Sequence, residues 1–108
     1  MDSALRRGLQ ADLRVALENR DGLRLSVLRT TLSALSNAEA VDPGDYAPGV
    51  TEVPRRVLAE DEIRALVEQE RDELRATAHR MHRVGAHDRA RELLDQAAVL
   101  DVHLASAK

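Results

Sequence analysis

The sequence contains no cysteine, no phenylalanine and no tryptophan, and its only tyrosine is Tyr46. The absence of cysteine excludes disulfide bonds, thiolate ligands and a cysteine nucleophile, and is compatible with a reducing compartment. A core without aromatic rings has to be built from leucine, valine, isoleucine, alanine and methionine, which favours helices over sheets. In a chain of 108 residues, such a core predicts one domain of modest stability.

Long apolar runs are also absent. The sequence shows no charged start followed by an apolar segment of signal-peptide length, and no segment approaches the length needed to span a bilayer. We therefore expect a cytoplasmic location and no membrane partner.

The net charge of −3 excludes strong non-specific attraction to nucleic acid, but the charge is unevenly distributed. Residues 1–37 carry six arginines against four acids, a net charge of +2, whereas residues 38–108 carry ten basic and fifteen acidic side chains, a net charge of −5. A basic surface is therefore expected only in the N-terminal third. The cations are almost all arginine. This favours forked contacts to phosphate or carboxylate, or it reflects only a GC-rich genome.

Leucine and alanine recur at steps of three and four, which predicts helices over residues 3–19, 22–39, 60–84 and 87–106. Asp2 or Ser3 can cap the first helix and Asp21 the second, while Gly85 stands where a left-handed helix stop is expected. The predicted core consists of the apolar stripe of each helix: Leu5, Leu9, Leu13, Ala16, Leu17, Leu25, Leu28, Leu32, Leu35, Ile63, Leu66, Val67, Leu74, Ala78, Met81, Ala90, Leu93, Leu94, Ala97, Leu100 and Leu104.

Three prolines and two glycines between Val41 and Arg56 predict a loop over residues 41–56. A loop of this length either binds something or is disordered. The expected fold is all-α, a small four-helix arrangement in which two helical hairpins are joined by this long proline- and glycine-containing loop. Residues 1–108 then form a single helical domain.

The motifs of a self-contained enzyme are missing. There is no nucleophile elbow, no glycine-rich phosphate loop and no zinc-hydrolase helix motif, so we expect no catalytic residues, no cofactor and no small-molecule substrate. His79, His82 and His87 are close enough in sequence to make a metal site conceivable. Because no matching ligand set stands elsewhere, we interpret them as solvated surface groups and predict no metal.

Glu70 falls within the apolar stripe of the third helix, between Val67 and Leu74. A carboxylate buried there needs an arginine such as Arg24 or Arg29, or backbone donors, to compensate its loss of hydration. We interpret Glu70 as a buried structural acid in an ion pair or at the edge of the stripe. The alternative is a perturbed acid at a functional site.

Arg20, Arg24 and Arg29 cluster around the start of the second helix. A phosphate group or the acid of a partner could bind there, or the arginines could form a salt-bridged hairpin with Glu18 and Asp21. The residues alone favour neither interpretation.

The run from Arg20 to Glu39 reads RDGLRLSVLRTTLSALSNAE. It resembles the signature of the YqeY-like proteins of the GatB/YqeY family, approximately R-L-S-x-L-R followed by L-x-A-L-x-N-x-E. The specific part of the match comprises Arg24, Ser26, Arg29 and Asn37. Weaker similarity spans nearly the whole chain and involves Leu9, Asp12, Leu13, Ala16, Glu70, Gly85 and residues 88–92.

The resemblance implies a relation to the tail of the amidotransferase subunit that handles glutamyl- and aspartyl-tRNA, a region that holds tRNA rather than performing chemistry. The family's smaller C-terminal helical subdomain, which follows a Leu-Pro junction, is expected to be absent here. The implied role is a non-catalytic accessory to carbon-nitrogen ligase activity with glutamine as amido-N-donor.

The partner implied by the resemblance is tRNA or an amidotransferase or synthetase complex. The implied contact residues are Arg20, Arg24, Ser26, Arg29 and Asn37. The small aliphatic core and the acidic second half support an alternative, a protein-interaction or homodimerising helical module that binds no nucleic acid.

Overall fold

The computed structural model describes residues 3–40 and 56–107, and within these residues it contains four helices and no strand. In chain order they are α1 (Ala4–Glu18), α2 (Gly22–Glu39), α3 (Glu60–Arg83) and α4 (His87–Ser106). The predicted all-α class is confirmed, and every helix end lies within one residue of its predicted position. The predicted loop over residues 41–56 lies outside the described residues, apart from Arg56.

The first hairpin is closed by a tight turn between α1 and α2. Ser3 caps α1 by accepting a hydrogen bond from the backbone N–H of Arg6 at 3.0 Å, and Asp21 caps α2 in the same way through the N–H of Arg24 at 3.2 Å. Between the helices, Arg20 adopts the left-handed region with φ of 53°, which lets the N–H of Asp21 bond back to the carbonyl of Ala16.

The second hairpin turns at Gly85, as predicted. Gly85 has φ of +84°, and the N–H groups of Gly85 and Ala86 bond back to the carbonyls of His82 and Met81. This pair of bonds is the Schellman helix ending, which satisfies carbonyls that have no partner inside the helix. The two helices are also joined by Asp101 of α4, which accepts hydrogen bonds from Arg71 and Arg75 of α3.

The main core lies where all four helices meet, and Leu58 completes it. The buried apolar side chains of this core are Leu5, Leu9, Ala16, Val27, Leu28, Leu35, Leu58, Ile63, Val67, Val99, Leu100 and Leu104. A smaller cluster of Ala78, Ala90 and Leu93 joins only α3 to α4. The part of the second hairpin near Gly85 is therefore a two-helix extension beyond the four-helix core.

The predicted core was wrong at two leucines. Leu17 and Leu94 are 48% and 52% exposed, because each lies on the outer side of its helix. The core instead takes in side chains of α2 that the predicted stripe left out. Thr31 is one of these, and its hydroxyl donates to the carbonyl of Val27 at 2.8 Å.

None of the four helices in the described part of the chain has both the length and the apolar composition needed to cross a lipid bilayer.

Candidate binding face on the second helix

The outer side of α2 is polar and carries no acid. Its exposed side chains are Ser26, Arg29, Thr30, Ser33, Ser36 and Asn37, which we call the α2 face. Between Gly22 and Ala38 the helix contains no aspartate or glutamate. The face therefore combines one guanidinium, four hydroxyl groups and one amide, without an internal carboxylate to compete for its donors.

Arg29, Ser33 and Asn37 form a ridge along this face. They follow one another at steps of four residues, so the ridge extends over about 12 Å of the helix axis. A groove of about 420 Å³ lies on the α3 side, where Thr30 and Glu70 line it, and a groove of about 370 Å³ lies on the α1 side. The three ridge residues line both grooves, so a bound molecule in either groove would meet the same side chains.

Glu70 places a carboxylate at the edge of the α3-side groove. It is half-buried, and burial, followed by repulsion from Glu73, raises the pKa of its carboxyl group. Of the two arginines expected to compensate it, Arg24 pairs with Asp12 instead. Arg29 lines the same groove but makes no ion pair with Glu70 in the described structure. Glu70 is thus a half-buried carboxylate without an ion pair among the described residues.

Arg24 is held by an acid that the sequence did not single out. Its Nε and Nη2 atoms lie 3.3 and 2.9 Å from the two carboxylate oxygens of Asp12, and His103 Nε2 lies 2.7 Å from Asp12 Oδ2. Burial alone raises the pKa of Asp12, but the hydrogen bonds from Arg24 and His103 outweigh burial and leave the pKa lowered. The guanidinium of Arg24 therefore already has a structural partner. Its predicted role in binding stays a prediction.

A signal for the Asp12 site was present in the sequence. Asp12 stands between Leu9 and Leu13 in the apolar stripe of α1, and His103 stands beside Leu104 in that of α4. The spacing marks both as half-buried polar groups, as it did for Glu70. The spacing does not indicate which side chains meet across the bundle. Asp12 and His103 are 91 positions apart in the sequence.

The predicted contact residues therefore divide into two groups. Ser26, Arg29 and Asn37 lie together on the α2 face, whereas Arg24 belongs to the Asp12 site and Arg20 stands in the turn that precedes the helix. Arg14, Arg20 and Arg29 are exposed and make no ion pair within residues 3–40 and 56–107. Of these three arginines, Arg29 lies on the α2 face, where its guanidinium and the neighbouring hydroxyl groups are donors suited to phosphate and sugar oxygens.

Comparison of the chain with models of known protein families, with curated proteins and with solved structures finds no match.

Proposed function

We propose that this protein is a non-catalytic cytoplasmic accessory domain that binds tRNA, or a complex handling aminoacylated tRNA, through the α2 face. The resemblance of residues 20–39 to the GatB/YqeY signature motivates the choice of tRNA. On this proposal the domain holds the substrate of an amidotransferase reaction whose chemistry takes place on another protein.

The observation that carries the proposal is the acid-free α2 face, in which Arg29 is the one cation. A nucleic-acid backbone is repelled by carboxylates, and the exposed surfaces of α3 and α4 carry acids interspersed with arginines. On α2, the ridge of Arg29, Ser33 and Asn37 offers a charge-assisted donor followed by neutral donors in a row. Such a row can contact successive phosphate and ribose groups without reading base sequence.

Glu70 supports RNA rather than DNA as the ligand. A carboxylate can only accept hydrogen bonds, so it opposes a phosphate but accepts one from a ribose 2′-hydroxyl. Placed beside the ridge, it favours an orientation in which Arg29 contacts phosphate while sugar hydroxyls turn toward α3.

The test is binding of fluorescently labelled tRNA, measured by anisotropy at low and at physiological salt. We compare the wild-type chain with the Arg20→Ala/Arg29→Ala double variant, which leaves the pairing of Arg24 with Asp12 intact. Loss of two phosphate contacts is expected to weaken binding about tenfold or more at low salt and to reduce the salt slope by roughly one to two.

A matched control is the Arg83→Ala/Arg91→Ala double variant, which removes the same number of exposed arginines from α3 and α4. It is expected to bind tRNA nearly as well as the wild type. No binding at low salt, or equal weakening in both double variants, contradicts the proposal.

A second candidate function, self-association, is favoured by the outer side of α4. Leu94 and Val102 are 52% and 60% exposed, and Ala98 and Ala105 lie on the same side of the helix at helical spacing. Small residues on such a stripe permit close approach of another helix. This surface is separate from the α2 face, so the two functions are not exclusive.

Sedimentation at several protein concentrations tests self-association. Leu94→Lys together with Val102→Lys is expected to abolish any dimer, whereas Val84→Lys, which places the same charge at a valine that is 75% exposed beside the Gly85 turn, leaves it intact. A wild-type chain that is monomeric at every concentration removes this candidate.

A further inference from the structure

His82 and His87 face one another across the turn between α3 and α4. Their Nδ1 atoms are 2.9 Å apart, and the two rings meet edge to face with centroids 4.5 Å apart and an interplanar angle of 61°. Both side chains are exposed. Of the three histidines that are close in sequence, His79, His82 and His87, the structure joins the last two, at the end of one helix and the start of the next.

The backbone holds this pair in place on both sides. Gly85 and Ala86 close the turn with hydrogen bonds of 3.1 and 2.8 Å to the carbonyls of His82 and Met81. Directly behind the turn, Ala78, Ala90 and Leu93 pack the two helices together. The backbones of His82 and His87 are therefore held by rigid elements, which reduces the entropy lost when a ligand bridges the two side chains.

The contact brings two potential ligand atoms together. A neutral imidazole can carry its one proton on Nε2, which leaves the lone pair of Nδ1 available to a metal ion. With both rings in this tautomer, the two Nδ1 atoms form a pair of donors for a divalent ion.

The separation of the nitrogens is short enough for one ion to bind both. With metal–nitrogen distances of about 2.0–2.1 Å, two ligands of one ion are about 2.9 Å apart at right angles and about 3.3 Å apart in a tetrahedron. The 2.9 Å between the Nδ1 atoms is also the length of a hydrogen bond between the rings, so it selects no single geometry. Imidazole is a common ligand of Zn²⁺, Cu²⁺ and Ni²⁺.

We infer that His82 and His87 form a two-ligand binding site for a divalent transition-metal ion such as Ni²⁺. Within the described residues, no group of three or more histidine, cysteine and acidic side chains is placed to hold a metal ion. Arg91 and Asp95 line the same recess and bring charges of opposite sign. The site is open on one side and has two protein ligands.

The test uses the full, untagged chain and NiCl₂ as the probe. Calorimetric titration near pH 7.5 is expected to show saturable binding of one Ni²⁺ per chain, and His82→Ala and His87→Ala are each expected to weaken it at least tenfold. His79→Ala, one turn away on α3, is the matched control and is expected to bind as the wild type does. Circular dichroism of each variant checks that the helices are retained.

Paramagnetic Ni²⁺ should also broaden the ring proton signals of His82 and His87 before those of His79 and His103 in a nuclear magnetic resonance titration. Two outcomes overturn the inference. One is unchanged affinity in the His82→Ala and His87→Ala variants, and the other is equal dependence on His79.

Discussion

Asp12 of α1 and His103 of α4 are joined by a contact of 2.7 Å between Oδ2 and Nε2, although 91 positions separate them in the sequence. Because a carboxylate can only accept, the Nε2 atom carries the proton whether the ring is neutral or charged. Gly8 lies beside Nδ1 of the same ring. A Cβ atom added to Gly8 would stand 3.2 Å from that nitrogen. With Arg24 on its other side, Asp12 connects three of the four helices.

Replacing Asp12 should therefore destabilise the bundle. Asp12→Ala removes the acceptor of three hydrogen bonds, two from Arg24 and one from His103, and leaves both partners unpaired. We expect this to lower the free energy of unfolding by about 2 kcal/mol. Urea unfolding at neutral pH measures the change. The control is Asp95→Asn, an exposed acid of α4, for which the change should stay within about 0.5 kcal/mol.

The same site predicts a dependence of stability on pH. The pKa of Asp12 is lowered below its ordinary 3.8 in the folded state, so the folded state holds fewer protons than the unfolded state in this range. The stabilisation by Asp12 is fully present above pH 3.8 and is lost as the pH falls through the lowered pKa. The difference in unfolding free energy between wild type and Asp12→Ala should accordingly shrink in strong acid, and a constant difference would contradict the assignment.

Glu70 predicts a dependence of stability on pH with the opposite sign. Burial raises its pKa above the ordinary 4.5, and repulsion from Glu73 adds to this, so the folded state favours the protonated carboxyl. Its contribution is present below pH 4.5 and is lost as the pH rises through the raised pKa. Glu70→Gln is therefore expected to stabilise the chain at neutral pH, with the gain vanishing below about pH 4. Thermal unfolding from pH 3.5 to 7.5 measures this.

A companion variant separates the two causes of the raised pKa. Glu73→Gln removes the repulsion but leaves the burial of Glu70 unchanged. Since burial is the larger cause, Glu73→Gln should give a smaller gain at neutral pH than Glu70→Gln. A destabilised Glu70→Gln variant would instead indicate that the ionised carboxylate has a favourable partner.

The helices were predictable because their signals are local. Ser3, Asp21 and Gly85 act within one turn of their own helix ends, and the leucine spacing reports which side of each helix is apolar. Local rules of this kind depend on backbone geometry that any helix shares, which is why no helix end moved by more than one residue.

The candidate sites were less predictable because they depend on which helices meet. Arg24 was grouped with Arg20 and Arg29 by sequence distance, yet the packing of α1 against α2 pairs it with Asp12. Thr31 lies three residues after Leu28 and four before Leu35, so helical spacing places it on the buried side, but a threonine does not count toward an apolar stripe. Side-chain partners across a bundle are set by helix rotation and register, which a stripe of leucines specifies only coarsely.

The left-handed backbone at Arg20 leads to a prediction that separates stability from binding. A residue with a Cβ atom is disfavoured at φ of 53° by about 1 kcal/mol relative to glycine, and part of this is offset by the greater freedom of glycine in the unfolded chain. Arg20→Gly should thus raise the melting temperature while weakening tRNA binding. Arg20→Ala keeps the strain and should weaken binding without the gain in stability.

Replacement of glycine by alanine is expected to change stability in opposite directions at Gly22 and at Gly85. A Cβ atom would meet nothing within 4 Å at either Gly22 or Gly85, so packing contributes to neither result. Gly22 begins α2 with ordinary backbone angles, and Gly22→Ala should stabilise by roughly 0.5 kcal/mol because the unfolded chain loses freedom. Gly85 has φ of +84°, and Gly85→Ala should destabilise by about 1 kcal/mol through backbone strain alone. Urea unfolding of both variants gives the two signs, and a stabilised Gly85→Ala chain would show that the turn between α3 and α4 is not held in the left-handed conformation.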